Sequence, residues 1–169
     1  MRNSKKWKNW VTLHDEKTCT PCKQNNGKIY EISEVVNPSP PLHHNCRCKI
    51  EILKSIFAGE ATNKKQDGAD WYLKYKGKLP EYYIDRKTAT KLGWISWMGN
   101  LSKVATDCML FGGEYLNTNK KLPHQDGRIW YELDINYTSG YRNKQRILYS
   151  NDGLMFVTYD HYDTFIEIR

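Results

Sequence analysis

No stretch of the 169-residue chain approaches the roughly 18 consecutive apolar residues of a membrane-spanning helix, so no membrane association is expected. The start, Met1-Arg-Asn-Ser-Lys-Lys-Trp-Lys8, is basic, but no apolar segment follows it. A secretory leader is therefore not expected; export would need another device, or the chain is a piece of something longer. Cysteine is scarce after residue 48: of five cysteines only Cys108 lies there, which excludes a disulfide framework for that part. Excess charge is scarce there too. Residues 67–169 hold 14 Lys+Arg against 13 Asp+Glu, whereas residues 1–66 hold 12 against 6, so most of the formal +7 lies in the first third. The second part must bind any polyanion by local clustering of cations. Aromatic content is 13%, which excludes wholesale disorder. The length fits one domain, or a small domain plus an appendage.

What is present divides the chain in two. Cys19-x-x-Cys22 and Cys46-x-Cys48 fall within the first 50 residues, with His14, His43 and His44 nearby. A C-x-x-C knuckle presents two thiolates from one tight turn, as a tetrahedral zinc site requires, and each histidine can replace a sulfur. The spacing admits a structural metal on Cys19, Cys22, Cys46 and Cys48, two disulfides, or reduced thiols. A redox C-x-x-C needs a βαβ setting, and none is apparent. Alternation predicts short strands over 27–32 and 49–53, with a rigid loop at Pro38-Ser-Pro-Pro41. Residues 1–58 thus read as a small Cys-rich β module, and the polar stretch 59–66 as a flexible linker.

Residues 67–169 read as an α+β domain, with short helices packed on an antiparallel β-sheet. Helices are predicted at 67–75, at 85–93 (Asp85 as cap, Gly93 as terminator) and around 100–104. Ile129, Tyr131, Leu133 and Ile135 alternate with Arg128, Trp130, Glu132 and Asp134, as in a strand with one apolar and one polar face. A hairpin follows over 146–149 and 154–159, turning at Asn151-Asp-Gly153, and a last strand over 164–168. A hairpin partner would place Arg146 opposite or diagonal to Glu132, with Arg142 just after the turn and His161 in the loop before the last strand. A carboxylate base, two cations and an imidazole are the parts needed to cleave RNA without a metal. From patterning alone, a glutamate beside arginines is more often an ordinary cross-strand ion pair.

Two resemblances sharpen this. Residues 7–50, with Asp15, Cys19-x-x-Cys22, Gly27-Lys-Ile-Tyr30, Pro40-Pro-Leu-His43 and Asn45-Cys-Arg-Cys48, resemble the C-terminal part of phage minor head proteins of the Mu F-like head-morphogenesis family. That resemblance implies an attachment or delivery module. Residues 67–169 are similar nearly end to end to the barnase family of bacterial guanyl-preferring ribonucleases. The strings Lys78-Leu-Pro80, Leu92-Gly-Trp94, Gly99-Asn-Leu101, Asp134-Ile-Asn-Tyr-Thr-Ser-Gly140, Arg146-Ile-Leu-Tyr-Ser150 and Asp160-His-Tyr162 carry it. The resemblance implies Glu132 as general base, His161 as general acid, Arg142 and Arg146 on the phosphate, and Tyr162 against substrate. It implies a 2′,3′-cyclic phosphate intermediate, no catalytic cofactor, and an Arg128–Asp152 structural ion pair. The family's catalytic lysine falls on Arg86. Its guanine-reading loop falls on Leu116–Lys121, one residue shorter and without the acidic residue that reads guanine. Asn117, Asn119 and Lys120 are the substrate-binding candidates there, and the resemblance leaves guanine preference open.

The expected function is an endoribonuclease toxin, extracellular or delivered into a target bacterium, with RNA as substrate. The expected partners are an acidic barstar-like inhibitor and phage head or secretion components. Two alternatives stand beside it: a structural delivery protein whose ribonuclease fold is catalytically weakened, favoured by Arg86 and the altered loop, and a zinc-module nucleic-acid binder, favoured by the basic first third.

Overall fold

The computed structural model describes residues 6–169. Strand β1 (Trp7–Val11) is the middle of a three-stranded antiparallel sheet, between β2 (Ile29–Glu31) and β3 (Lys49–Ile52). Helix α1 (Thr20–Asn25) connects β1 to β2, with Pro21 in its first turn, where an amide would have no helical partner.

The second sheet has seven strands in the order β4 (Ser55–Ile56), β10 (Ile166–Ile168), β9 (Met155–Thr158), β8 (Arg146–Ser150), β7 (Trp130–Asp134), β6 (Met109–Tyr115) and β5 (Tyr83–Asp85). Its middle is antiparallel; its two edge strands, β4 on β10 and β5 on β6, pair in parallel. Helices α2 (Ala69–Lys76), α3 (Arg86–Lys91) and α4 (Leu101–Val104) precede most of the strands, so the fold is α+β, as the sequence predicts. Asp85 caps α3 by accepting from the Thr88 amide at 2.6 Å. No helix among the described residues is long and apolar enough to cross a membrane.

Both faces of the central strands are covered. On one, Leu133, Ile135, Ile147, Met155 and Val157 pack against Ala58, Ala61, Ala69 and Leu73. On the other, Trp130, Leu148 and Phe156 pack with Leu122 and Phe165, and against Trp7, Ile29 and Leu53 of the three-stranded module. Trp130, expected on a polar face, is thus buried, because a remote part of the chain closes over it. Trp7 meets Phe156 edge-on with ring centroids 6.0 Å apart. Burying an apolar side chain of this size contributes about 1.5–3 kcal/mol, so the two sheets are joined by a substantial apolar seam.

Within residues 59–66, expected as a flexible linker, Gly59, Ala61 and Thr62 are packed, while residues 63–66 are exposed. Ala61 and Thr62 are buried, and the fully buried Asp70 accepts from the amides of Gly59 (2.6 Å) and Ala61 (3.0 Å). Tyr159 donates to the Ala61 carbonyl at 2.8 Å. One buried carboxylate thus ties down the backbone at 59–61, while most of the polar side chains that suggest a linker face outward. Upstream of it, β4 already belongs to the large sheet.

Candidate active site

The β7–β8 register pairs Glu132 with Leu148 and Asp134 with Arg146, so Glu132 and Arg146 are diagonal neighbours on one face. Opposite Glu132 lies Gly113, at a bulge in β6. A β-carbon on the adjacent Gly112 would stand 2.5 Å from Glu132 Oε1, so Gly112 makes room for the carboxylate, while Gly113 supplies the left-handed φ of +84° at the bulge. Glu132 retains 14% side-chain exposure. Arg86, placed by the capped start of α3, brings Nη2 to 3.7 Å from Glu132 Oε1. The Tyr162 hydroxyl donates to Glu132 Oε2. Burial, and then the bond to Glu132, raise the Tyr162 phenol above its ordinary pKa, so it remains a neutral donor at neutral pH.

Asp134 organises the cations. Nearly fully buried, it accepts from Arg142 Nε at 2.7 Å and Nη2 at 2.6 Å. Arg146 Nε lies 3.0 Å from the same carboxylate without being aligned to donate, while Arg146 Nη1 donates to the carbonyls of Asn143 and Gln145, each at 2.7 Å. The hydrogen bond to Asp134 raises the pKa of Arg142. The forked Nε–Nη2 edge of Arg142 is therefore spent on Asp134, and its Nη1–Nη2 edge is what it offers a phosphate. Three guanidiniums against two carboxylates leave one net positive charge at the centre, which is the local clustering that the near-neutral domain needs.

His161 sits in the loop between β9 and β10 and is exposed. It and Tyr162 both have left-handed backbones, at φ +62° and +69°. Such residues cost on the order of 1–3 kcal/mol each and persist where the surroundings over-determine them. Asp160 supplies that: its Oδ1 accepts from the Thr158 hydroxyl and from the amides of Asp163 and Thr164, and its Oδ2 from the Thr164 hydroxyl. The His161 amide donates to the Lys144 carbonyl at 3.0 Å, and the Tyr162 amide to Thr158 Oγ1 at 3.0 Å. The His161 and Tyr162 rings lie 4.8 Å apart, so Tyr162 touches both the imidazole and Glu132. Tyr162 also stacks on Tyr115, with centroids at 5.2 Å and planes 18° apart.

The loop after β6 is held by Asn117, a left-handed residue whose side-chain amide accepts from the Leu122 amide and donates to its carbonyl. Asn117 is thereby committed to bracing. Asn119 accepts from the Lys121 amide at 3.2 Å, and Lys120 is exposed. Lys121, buried, donates to the carbonyls of Tyr162 (3.1 Å) and Asp163 (3.2 Å) and joins the two loops. The Arg128–Asp152 pair forms at 2.7 Å, outside the cleft, with Arg128 just ahead of β7. Sequence reasoning missed Asp134, Lys121, Tyr115 and Asp160. For Asp134 a signal was available, since a lone acid at the end of a buried strand, followed by two arginines, needs a cation.

In the module, Cys19 Sγ and Cys22 Sγ lie 3.2 and 3.3 Å from His43 Nε2, and Cys22 Sγ lies 3.7 Å from Cys46 Sγ. Cys48 falls in the same cluster, within 4.8 Å of Cys22 and Cys46. His43 Nδ1 donates to the His44 carbonyl at 2.8 Å, which leaves Nε2 bare toward the thiols. Hydrogen bonds from the backbone of Cys48 and Leu42 lower the Cys46 thiol to about 7, in the direction of the thiolate that a metal requires. Ligand atoms around a tetrahedral zinc are spaced by about 3.5–3.8 Å, so these residues fit such an ion.

A family model described as ribonuclease matches residues 54–169, and one described as phage Mu protein F like protein matches residues 1–51. Among curated proteins, a ribonuclease of Bacillus pumilus is 39% identical over 129 residues, covering 76% of this chain and 79% of that protein. A ribonuclease of Bacillus intermedius is 40% identical over 120 residues (71% and 74%), and one of Heyndrickxia coagulans 46% identical over 101 residues (60% and 92%).

Proposed function

The chain belongs to the ribonuclease family and is an endoribonuclease, and from that premise we propose that it cleaves single-stranded RNA by transesterification, with Glu132 as base and His161 as acid. Glu132 takes the 2′-OH proton as the 2′-oxygen attacks phosphorus. Protonated His161 gives its proton to the departing 5′-oxygen, leaving a 2′,3′-cyclic phosphate. In the second step neutral His161 takes a proton from water, and protonated Glu132 returns one to the 2′-oxygen. Arg86, Arg142 and Arg146 offset the charge on the phosphorane-like transition state. The observation that carries this reading is the placing of Tyr162 against both Glu132 and the His161 ring, beside an Asp134-held arginine pair. Side chains supply base, acid and cations, so the chemistry calls for no catalytic metal. The test is cleavage of an oligoribonucleotide in excess chelator, with the product analysed for a 2′,3′-cyclic phosphate. DNA of the same sequence, lacking the nucleophile, stays intact. RNA left uncut at every concentration overturns the reading.

The division we favour places the module before residue 54 and the enzyme on 54–169, supported by the pairing of β4 with β10. In the module we propose a structural zinc on Cys19, Cys22 and Cys46, with His43 or Cys48 as the fourth ligand. Metal content of His43→Ala against Cys48→Ser identifies that ligand, and purified chain without bound metal sinks the proposal. The phage-type match of residues 1–51 supports a delivery role for the module, and with it a toxin that acts outside its producer. An exposed cationic cleft that kills its maker calls for an acidic inhibitor protein as partner. Expression that arrests a bacterial host, relieved by Glu132→Ala, is the result expected; a host unaffected by the wild-type chain rules the toxin out.

A further inference from the structure

The module does more than precede the enzyme, because it touches the two loops that shape the cleft. Gly27, directly after α1, has a left-handed backbone at φ +75°. It lies so close to the loop between β9 and β10 that a β-carbon there would overlap the Asp163 carbonyl oxygen and stand 3.1 Å from its carbon. His14 Nε2 lies 3.2 Å from Asp163 Oδ2. The Ile29 amide donates at 2.8 Å to the carbonyl of Lys121, whose ammonium in turn donates to the carbonyls of Tyr162 and Asp163. Beneath these contacts Ile29, Trp7 and Leu53 share one apolar cluster with Leu122 and Phe165, one residue from each loop. Asp163 is two residues from His161, and Tyr162 lies between them. A close backbone approach, a polar pair and an apolar floor thus converge on the segment that presents the acid.

Resting on the assignment of His161 and Glu132 made above, we propose that the three-stranded module is a positioning element of the catalytic centre. Gly27, His14 and Ile29 hold the His161–Tyr162 segment in its left-handed form. The module acts through the loop and touches no reacting atom. Small misplacements of an acid cost turnover steeply, so a push on Asp163 lowers kcat while leaving most substrate binding intact.

The experiment uses the full chain and a fluorogenic oligoribonucleotide. Gly27→Ala is compared with Gly77→Ala, whose parent glycine has a similar φ of +64° with nothing within 4 Å of an added β-carbon. Gly27→Ala is expected to lower kcat by about tenfold, with KM within about twofold of wild type, and to speed amide exchange at His161–Thr164. Gly77→Ala is expected to lower thermal stability with kcat within about twofold. His14→Ala, on an exposed side chain, is expected to cost about two- to threefold in kcat and to speed the same amides. Equal losses in the two glycine variants, or unchanged kcat in Gly27→Ala, overturn the proposal. Should Gly27→Ala fail to fold, unchanged kcat and unchanged exchange in His14→Ala overturn it instead. A wild-type chain that cuts no RNA overturns the functional reading alone, and the exchange comparison then still decides this one.

Discussion

At one end of the sheet face that carries Glu132, the residues Trp130, Leu148 and Phe156 lie under Trp7, Ile29 and Leu53. At the other end the same strands carry Asp134 and Arg146, charged and almost fully buried, with Arg142 and Arg86 more open beside them. The first end is closed by apolar contact with a separate sheet. The second is open, as entry of RNA at the proposed site requires, and its charges are satisfied by one another and by backbone carbonyls. Apolar burial is tolerant of small shifts but blind to direction. Charge-assisted hydrogen bonds are directional and costly to leave unmade. The closed end supplies the rigidity on which the open end's geometry depends.

The largest expected break in that comparison is at the open end. Glu132→Ala and His161→Ala should each lower kcat by about 10²–10⁴-fold, with Tm little changed, as single-turnover kinetics and thermal melts would report. A Tm drop as large as that of a core variant would mean these groups are structural. Next comes Asp134→Ala, which leaves two arginines near a buried void. It should cost about 3–5 kcal/mol of stability and also activity, measured by urea melts and by kcat on the folded fraction. Third, at the closed end, Trp7→Ala should cost up to about 3–5 kcal/mol. Here RNA affinity should stay near wild type; an affinity loss as large as that of an arginine variant would erase the distinction between the two ends. The smallest effect concerns acid. Asp152 is held below the ordinary carboxylate value of 3.8, chiefly by hydrogen bonds from Arg128. Its contribution to stability is thus present above that value and is lost as pH falls through the lower folded one. Tm of wild type should decline below about pH 4, and less steeply in Asp152→Asn, by no more than about 1 kcal/mol because the Asp152 carboxylate is more than a third exposed.

Much of the enzyme is legible in the sequence where the determinants are local. The β8–β9 hairpin follows from its Asn151-Asp-Gly153 turn, where Gly153 has φ +91°. The cap at Asp85 and the left-handed Gly93 bound α3 as expected. What escapes sequence reading is set at long range. Strand β6 carries Gly112-Gly113, which reads as a breaker, yet Gly112 is required by Glu132, a residue about 20 positions later, and Gly113 by the bulge. Strands β4 and β5 are too short to show a period and are defined by parallel partners far along the chain. Trp130 is assigned to the wrong kind of surface because alternation cannot know that Trp7 and Ile29, more than 100 residues upstream, will cover it. In the cleft, the catalytic types stand out by resemblance. Of the residues that hold them, Asp160 and Lys121 are visible only as contacts, while Asp134 shows in the sequence only as an acid in need of a cation.

Strand β10 lies between β4 and β9, and Ala58 donates to the carbonyl of Arg169 at 2.8 Å. A chain emerging from the ribosome makes β4 early and the filler of that gap after every other strand of the sheet. The loop bearing His161 is anchored on the far side by this same late strand. Domains assemble as their residues emerge, so the loop that carries His161 gains its far anchor only once β10 has emerged. A ribosome-bound chain stopped before Ile166 should leave RNA intact, and one extended until β10 clears the exit tunnel should cut it. On that outcome, the order of synthesis shields the messenger and the ribosome that are making the protein.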